Sequence, residues 1–159
     1  MEMIREADPA APELRALIEA NLAHGAVAGP ADSDHTFGVE DLCQENVRFW
    51  ALFDGDVALG CGAYKALPDG SAEVKSVFVS DAARGKGCAR KIMSRLAEEA
   101  RKDGITALVL ETGSELCPEY DAARRLYEKL GYAYCGPIFG YQDDANSAFM
   151  RLDLGPVPE

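Results

Sequence analysis

The hydrophobic period of this chain changes once between positions 72 and 100, and a basic, glycine-rich loop sits at the change. Ala72 to Val79 reads as a strand, whereas Cys88, Ala89, Ile92, Met93, Leu96, Ala97 and Ala100 recur on one helical face that Gly104 closes. Arg84-Gly85-Lys86-Gly87-Cys88-Ala89 joins the two. The first unpaired N–H groups of the helix, with the positive end of its dipole, point into a loop whose glycines let a bulky group come close. Such a terminus is an anion site. Arg84, Lys86, Arg90 and Lys91 place four cations at a helix start, where positive charge is normally disfavoured. A bound pyrophosphate removes that conflict; on spacing alone, a solvated glycine turn with incidental basic residues does as well.

Two known phosphate-binding patterns can be compared with the loop. A P-loop needs G-x-x-x-x-G-K followed by Ser or Thr, which the chain lacks. A dinucleotide fingerprint needs G-x-G-x-x-G, and here Arg90 stands where the third glycine should allow close helix packing. Glu111 could imitate the ribose-binding acid of that motif, but the strands before the loop read as antiparallel, and a dinucleotide unit opens a parallel sheet.

Those preceding strands are marked by their turns. Val47 to Phe53 and Val57 to Leu67 flank Asp54-Gly55-Asp56, and Pro68-Asp69-Gly70 leads into Ala72 to Val79. Upstream, Met1 to Ala7 reads as a short strand. Asp8 suits an N-cap with Pro9 at the first helical position, and Leu14, Leu17, Ile18 and Leu22 predict a helix to about Leu22. His24 to Gly38 reads as a long loop, followed by a short helical piece near Val39 to Glu45. Downstream, Ala107 to Leu110 is a short apolar strand. Ala122, Ala123, Leu126, Tyr127 and Leu130 form a second amphipathic stripe closed by Gly131, and two strands follow near Tyr132 to Phe139 and Ser147 to Leu154. No repeat interrupts this order, so residues 1–154 are read as one domain and 155–159 as a frayed tail.

With 159 residues, 48% of them apolar, the chain can bury one substantial core. Its start has no apolar stretch behind a basic region, and no run approaches the roughly 18 apolar residues of a membrane span. The expectation is a cytoplasmic protein with no membrane partner. Cys43, Cys61, Cys88, Cys117 and Cys135 are odd in number and contain no C-x-x-C pair, which suggests neither a disulfide framework nor a metal site. A formal charge of -11 opposes nucleic-acid binding.

Taken together, the motifs resemble the GNAT superfamily of N-acetyltransferases. Arg84, Gly87 and Ala89 fit its cofactor signature, Val74-Lys75-Ser76-Val77-Phe78-Val79 is similar to the strand that carries the pantetheine arm, and Leu126-Tyr127-Glu128-Lys129-Leu130-Gly131-Tyr132 is similar to its second signature. Phe139-Gly140 to Phe149-Met150 resembles the end of small bacterial members. The resemblance implies a single-domain α/β (α+β) fold, with a mixed, mostly antiparallel central sheet of about seven strands flanked by about four helices. It also implies acetyl-CoA as co-substrate, held by Val77, Phe78, Val79, Arg84, Gly85, Lys86, Gly87, Cys88, Ala89 and Arg90, and it allows a homodimer. One departure stands out: the family often has Asn seven residues before the signature tyrosine, and this chain has Tyr120. The connection from Thr112 to Glu119 is also longer than usual.

Acetyl transfer to an amine needs a neutral nitrogen, a polarised thioester carbonyl and a proton for the departing thiolate. The resemblance assigns the carbonyl to a backbone N–H at or near Val77 to Val79, and the proton to Tyr127, which is otherwise a core tyrosine. Glu73 and Glu111 each match a position that serves as base in some members, and each also reads as an ordinary strand-end carboxylate. Acceptor specificity falls to His24 to Gly38 and to Gly140 to Ser147. In the latter, Tyr141, Asp143 and Asp144 place an aromatic beside two acids, as an ammonium site or a solvated turn. The expected acceptor is a small-molecule amine or a peptide amino group. Two other functions fit the residues: a non-catalytic acyl-CoA-binding module and a dinucleotide-binding protein.

Overall fold

The computed structural model describes residues 2–28 and 42–155. Seven strands form one sheet in the order β1-β2-β3-β4-β5-β7-β6. They are β1 (Glu2–Glu6), β2 (Val47–Asp54), β3 (Val57–Ala66), β4 (Ala72–Val79), β5 (Ala107–Gly113), β6 (Ala133–Cys135) and β7 (Ser147–Asp153). Three α-helices lie among the described residues, α1 (Pro12–Ala28), α2 (Cys88–Lys102) and α3 (Asp121–Lys129), with 3-10 turns at Asp81–Ala83 and Pro118–Tyr120. Every strand pair is antiparallel except β4 with β5, which is parallel. This is the mixed, mostly antiparallel sheet expected; the loop at Gly85 joins its one parallel pair, β4 and β5, and the antiparallel pairs on either side do not match the parallel sheet of a dinucleotide fold.

Strand alternation builds two cores. Trp50, Leu52, Tyr64, Ala72, Val74, Leu108, Leu110 and Met150 pack with α2, while Phe49, Ala51, Phe53, Cys61, Ala63 and Phe78 pack with Leu14, Leu17 and Ile18 of α1. A smaller cluster of Val109, Ile138 and Phe149 continues the α1 side beyond β4. On the α2 side, β3 is pared to glycine: a Cβ on Gly62 would stand 2.7 Å from Ile92, and one on Gly60 2.8 Å from the same side chain and 3.0 Å from the Phe78 carbonyl. Those two glycines let α2 lie close against the sheet, and so set where its N-terminus falls.

Several expected boundaries move. Asp8 does not cap α1; its Oδ1 accepts the Ala10 N–H at 2.9 Å in a turn, and the helix starts at Pro12, whose missing N–H costs nothing there. The helix continues past Leu22 to Ala28 because Ala23, Ala26 and Ala28 favour it, and the breakers Gly29 and Pro30 come only afterwards. The expected loop from His24 is therefore helical over its first five residues, and the rest of it lies outside the described residues. So do the first three residues of the Val39 to Glu45 piece, of which Leu42 is helical and Cys43 to Glu45 are not. Of the expected fourth helix, Leu42 alone is helical among the described residues. The Tyr132 to Phe139 strand shrinks to three residues, since Gly136-Pro137 removes a ladder donor. Conversely, β5 runs to Gly113, paired with β7 throughout, so Glu111 lies inside a strand.

Candidate active site

The basic loop has the form its sequence suggested. Gly85 and Gly87 adopt φ of 79° and 77°, a left-handed conformation that favours glycine, with open space where a side chain would be. Gly87 is the N-cap of α2, makes no side-chain cap and is followed by no acid in the first turn, so the helix start carries no internal anion. Arg84 folds back onto the Val79 carbonyl at 3.4 Å and Asp81 at 3.3 Å, and Lys91 pairs with Glu2 at 2.6 Å. Lys86 and Arg90 are exposed and find no partner among the described residues.

Beside this loop the sheet opens. The parallel pair β4 and β5 is in register only at Ala72 with Leu108 and Glu73 with Val109, after which the strands part. A bulge in β4 accompanies the parting: Cys61 faces Phe78 and Ala63 faces Lys75, so Gly62 stands opposite both Ser76 and Val77. Ser76 takes φ of 58° to make this turn. The bulge reverses the pleat. Ala72 and Val74 face α2 before it, Val77 and Val79 face α2 after it, and Phe78 faces α1. Because Ser80 N–H bonds the Leu59 carbonyl on β3, alternation turns the N–H groups of Val79 and Val77 the other way, into the gap. The Ser76 hydroxyl is buried and makes no hydrogen bond among the described residues. A pantetheine arm entering from the helix start would meet unspent donors along this edge, so these residues fit acetyl-CoA.

On the α1 side of the gap stands a polar cluster. Glu73 and Lys75 are both buried and paired at 3.1 Å; Tyr141, from the β6–β7 connection, donates to Glu73 at 2.5 Å and accepts from Lys75 at 2.9 Å. Tyr141 is braced edge-on by Phe149, with ring centroids 5.6 Å apart. Two residues along β5, Glu111 accepts the Ser147 hydroxyl at 2.7 Å. Burial pushes the Glu111 carboxyl up to about 7, against the opposing pull of Ser147 and Lys75 and with help from the charges of Glu73 and Asp144.

Tyr127 approaches from α3. Its ring packs on the α2 core, tilted against Tyr132 at 5.9 Å, and burial, then the charges of Tyr120 and Glu111, push its phenol up to about 12. It is therefore a protonated donor within electrostatic reach of Glu111. Tyr120 packs against β5, where a Cβ on Gly113 would run into its ring. Arg124 ties down the connection after β5, donating to the carbonyls of Gly113 and Ser114, each at 2.6 Å.

The fold thus gathers Glu73, Glu111 and Tyr141 on the α1 side of the gap, with Tyr127 near enough for its phenol to feel the Glu111 charge, and leaves Asp143 exposed in the turn beyond. Asp144 shapes that turn, its Oδ1 accepting the Asn146 N–H at 2.8 Å, while its charge is felt at Glu111. The ring face of Tyr141, expected to receive an ammonium, already has Lys75 Nζ 5.6 Å from its centroid. Sequence reading missed Lys75, Ser147 and the bulge at Ser76. A lysine inside an otherwise apolar strand and the spacing Val74-x-x-Val77-x-Val79 were the available signals for Lys75 and the bulge; nothing local marks Ser147.

Comparison with known proteins decides the family. The model of the acetyltransferase (GNAT) family matches residues 14–132. This chain belongs to that family. It is 38% identical over 138 residues to the N-acetyltransferase YsnE of Bacillus subtilis, itself uncharacterised, covering 87% of this chain and 90% of that one. It is also 38% identical over 127 residues to the IAA acetyltransferase of Azospirillum brasilense, covering 79% and 80% of the two chains. A candidate acyl-CoA N-acyltransferase from Klebsiella pneumoniae superposes with a TM-score of 0.79 at 29% identity, over 98% of this chain and 99% of that one. The GNAT acetyltransferase described here is an acetyl-CoA-dependent N-acetyltransferase, with acetyl-CoA as its co-substrate.

Proposed function

We propose that this acetyltransferase moves the acetyl group to a primary amine by direct attack within a ternary complex, with Glu111 as general base and Tyr127 as general acid. One observation carries the choice of base: of the two carboxylates at the gap, Glu73 is already paired with Lys75, whereas Glu111 makes no ion pair among the described residues. A carboxylate that titrates near neutrality can take a proton from an ammonium and pass it on. Acetyl-CoA supplies the acyl group as a thioester. The N–H groups of Val77 and Val79 point where they would polarise its carbonyl, and the exposed Lys86 and Arg90, with the bare start of α2, suit its phosphates. Tyr127, held protonated by its surroundings, supplies the proton for the departing thiolate. The acceptor enters from the face of Glu111, Tyr141 and Phe149, a mixed polar and aromatic wall suited to a small amine, an amino acid or a peptide amino group.

The test is thiol release with acetyl-CoA and a panel of amines, amino acids and short peptides, with IAA included because a relative is named for it. Tyr127→Phe is expected to lower kcat at least about tenfold with little change in the affinity for acetyl-CoA. Glu111→Gln should lower kcat/KM by roughly 100-fold and remove the acidic limb of the pH profile near 7. Wild-type rates in both variants would refute the assigned roles.

A further inference from the structure

We propose that Ser147 is a positioning residue for the base, anchoring one oxygen of the Glu111 carboxylate through its hydroxyl; this rests on the reading of Glu111 as base. The geometry begins with register. Glu111 pairs with Phe149 and Gly113 with Ser147 across β5 and β7, so Ser147 lies diagonal to Glu111 on the same face, and its hydroxyl spans the step at 2.7 Å. Gly113, opposite Ser147, presents no side chain that would crowd the hydroxyl.

Ser147 is itself firmly held. Its N–H bonds the Asp144 carbonyl at 3.0 Å, Ser114 N–H bonds the Asn146 carbonyl at 2.9 Å, and the Ser114 hydroxyl bonds the Ala145 carbonyl at 2.6 Å. The turn before β7 is thereby stitched to the end of β5, and the serine cannot drift from its partner. The bond uses Oε2 alone. Oε1 accepts nothing among the described residues, so one oxygen is anchored and the other is left to meet an acceptor ammonium.

Several other groups bear on this carboxylate: Glu73 and Lys75 from β4, Tyr141 and Asp144 from the β6–β7 connection, Tyr127 from α3 and Cys117 from the loop after β5. Glu73 and Asp144 disfavour its ionised form, and Lys75 favours it at a distance. Among the described residues, Ser147 donates a hydrogen bond directly to the carboxylate. A donor to the charged form lowers a carboxyl pKa, so its removal raises it.

The experiment compares pH profiles of kcat/KM, followed by thiol release, for the wild type, Ser147→Ala, Ser147→Thr, Glu111→Gln and the double variant Ser147→Ala with Glu111→Gln. In Ser147→Ala the acidic limb is expected to move up by about one pH unit, with kcat at pH 7 reduced roughly three- to tenfold and the affinity for acetyl-CoA unchanged. Ser147→Thr, which keeps the hydroxyl, should restore the limb. In the Glu111→Gln background the serine substitution should have no further effect, as expected of two groups acting through one bond. An unmoved limb in Ser147→Ala, or a shift that Ser147→Thr leaves in place, overturns the role of Ser147. A limb that survives in Glu111→Gln overturns the base assignment beneath it, and the two failures are separate readouts. Thermal unfolding of each variant identifies loss of fold, which a merely structural bond would show without displacing the limb.

Discussion

At the scale of single residues, the site is a contest between burial and compensation. Glu73 is deeper than Glu111, yet it is matched by Lys75 at 3.1 Å and by Tyr141 at 2.5 Å. Glu111 is shallower but carries its charge with one hydroxyl for company, and burial wins: its carboxyl rises from 4.5 to about 7. The raised value has a stability consequence of definite sign. Below the unfolded value near 4.5 the carboxyl is protonated in both states; between there and 7 the unfolded chain ionises first, so stability is lost as pH rises through that window. Glu111→Gln should therefore stabilise the fold at pH 8, by on the order of 1–3 kcal/mol, and have little effect near pH 4. Thermal melts of wild type and variant at the two pH values check this, and the widening gap should accompany the loss of activity. The residue best suited to take a proton is thus one the fold would be more stable without.

At the scale of elements, the position of α2 sets the proposed cofactor site, and two glycines of β3 let α2 lie where it does. Gly62→Ala would drive a methyl group to 2.7 Å from Ile92 and 3.2 Å from Leu96. It should cost about 1–3 kcal/mol in urea unfolding and, because the helix must lift, raise the KM for acetyl-CoA. Gly104→Ala is the contrast: its φ of 80° is strained for alanine but nothing stands nearby, so it should cost about 1 kcal/mol and leave that KM alone. These elements also show what a single sequence reveals. The start of α2 was legible because the change of period, the glycines and the cations coincide within a few residues. Ala72 and Val79 bound β4 in both readings, since turns mark one end and the loop the other. The start of α1 was misjudged because Asp8 can cap a turn as readily as a helix. Ser147 was illegible because its meaning comes from β7 lying beside β5, a pairing set by topology and not by any local pattern. The role proposed for it, like that proposed for Glu111, depends on a neighbour 36 positions away.

At the scale of the molecule, a chain with a formal charge of -11 binds a polyanionic co-substrate. The bulk field opposes that encounter, so the work falls to the local cations and the start of α2. Lys86 and Arg90, unpartnered among the described residues, are the groups whose charge is free for it. The Kd for acetyl-CoA should weaken as salt is raised from about 0.05 to about 0.5 M, and the double variant Lys86→Gln with Arg90→Gln should bind more weakly and respond less to salt. Titration calorimetry across the salt series measures both. A further property of the whole sheet follows from the extra residue at Ser76. Were β4 to run straight through Ser76 with no bulge, the chain would keep its charge, its composition and every motif side chain, yet Val77, Phe78 and Val79 would each pass to the opposite side of the sheet. The apolar lining meant for α2 would then be offered to α1, and the donors aimed at the gap would be swallowed by β3. The site therefore depends on the parity of a count along β4, an odd or even number that no amino-acid composition can express.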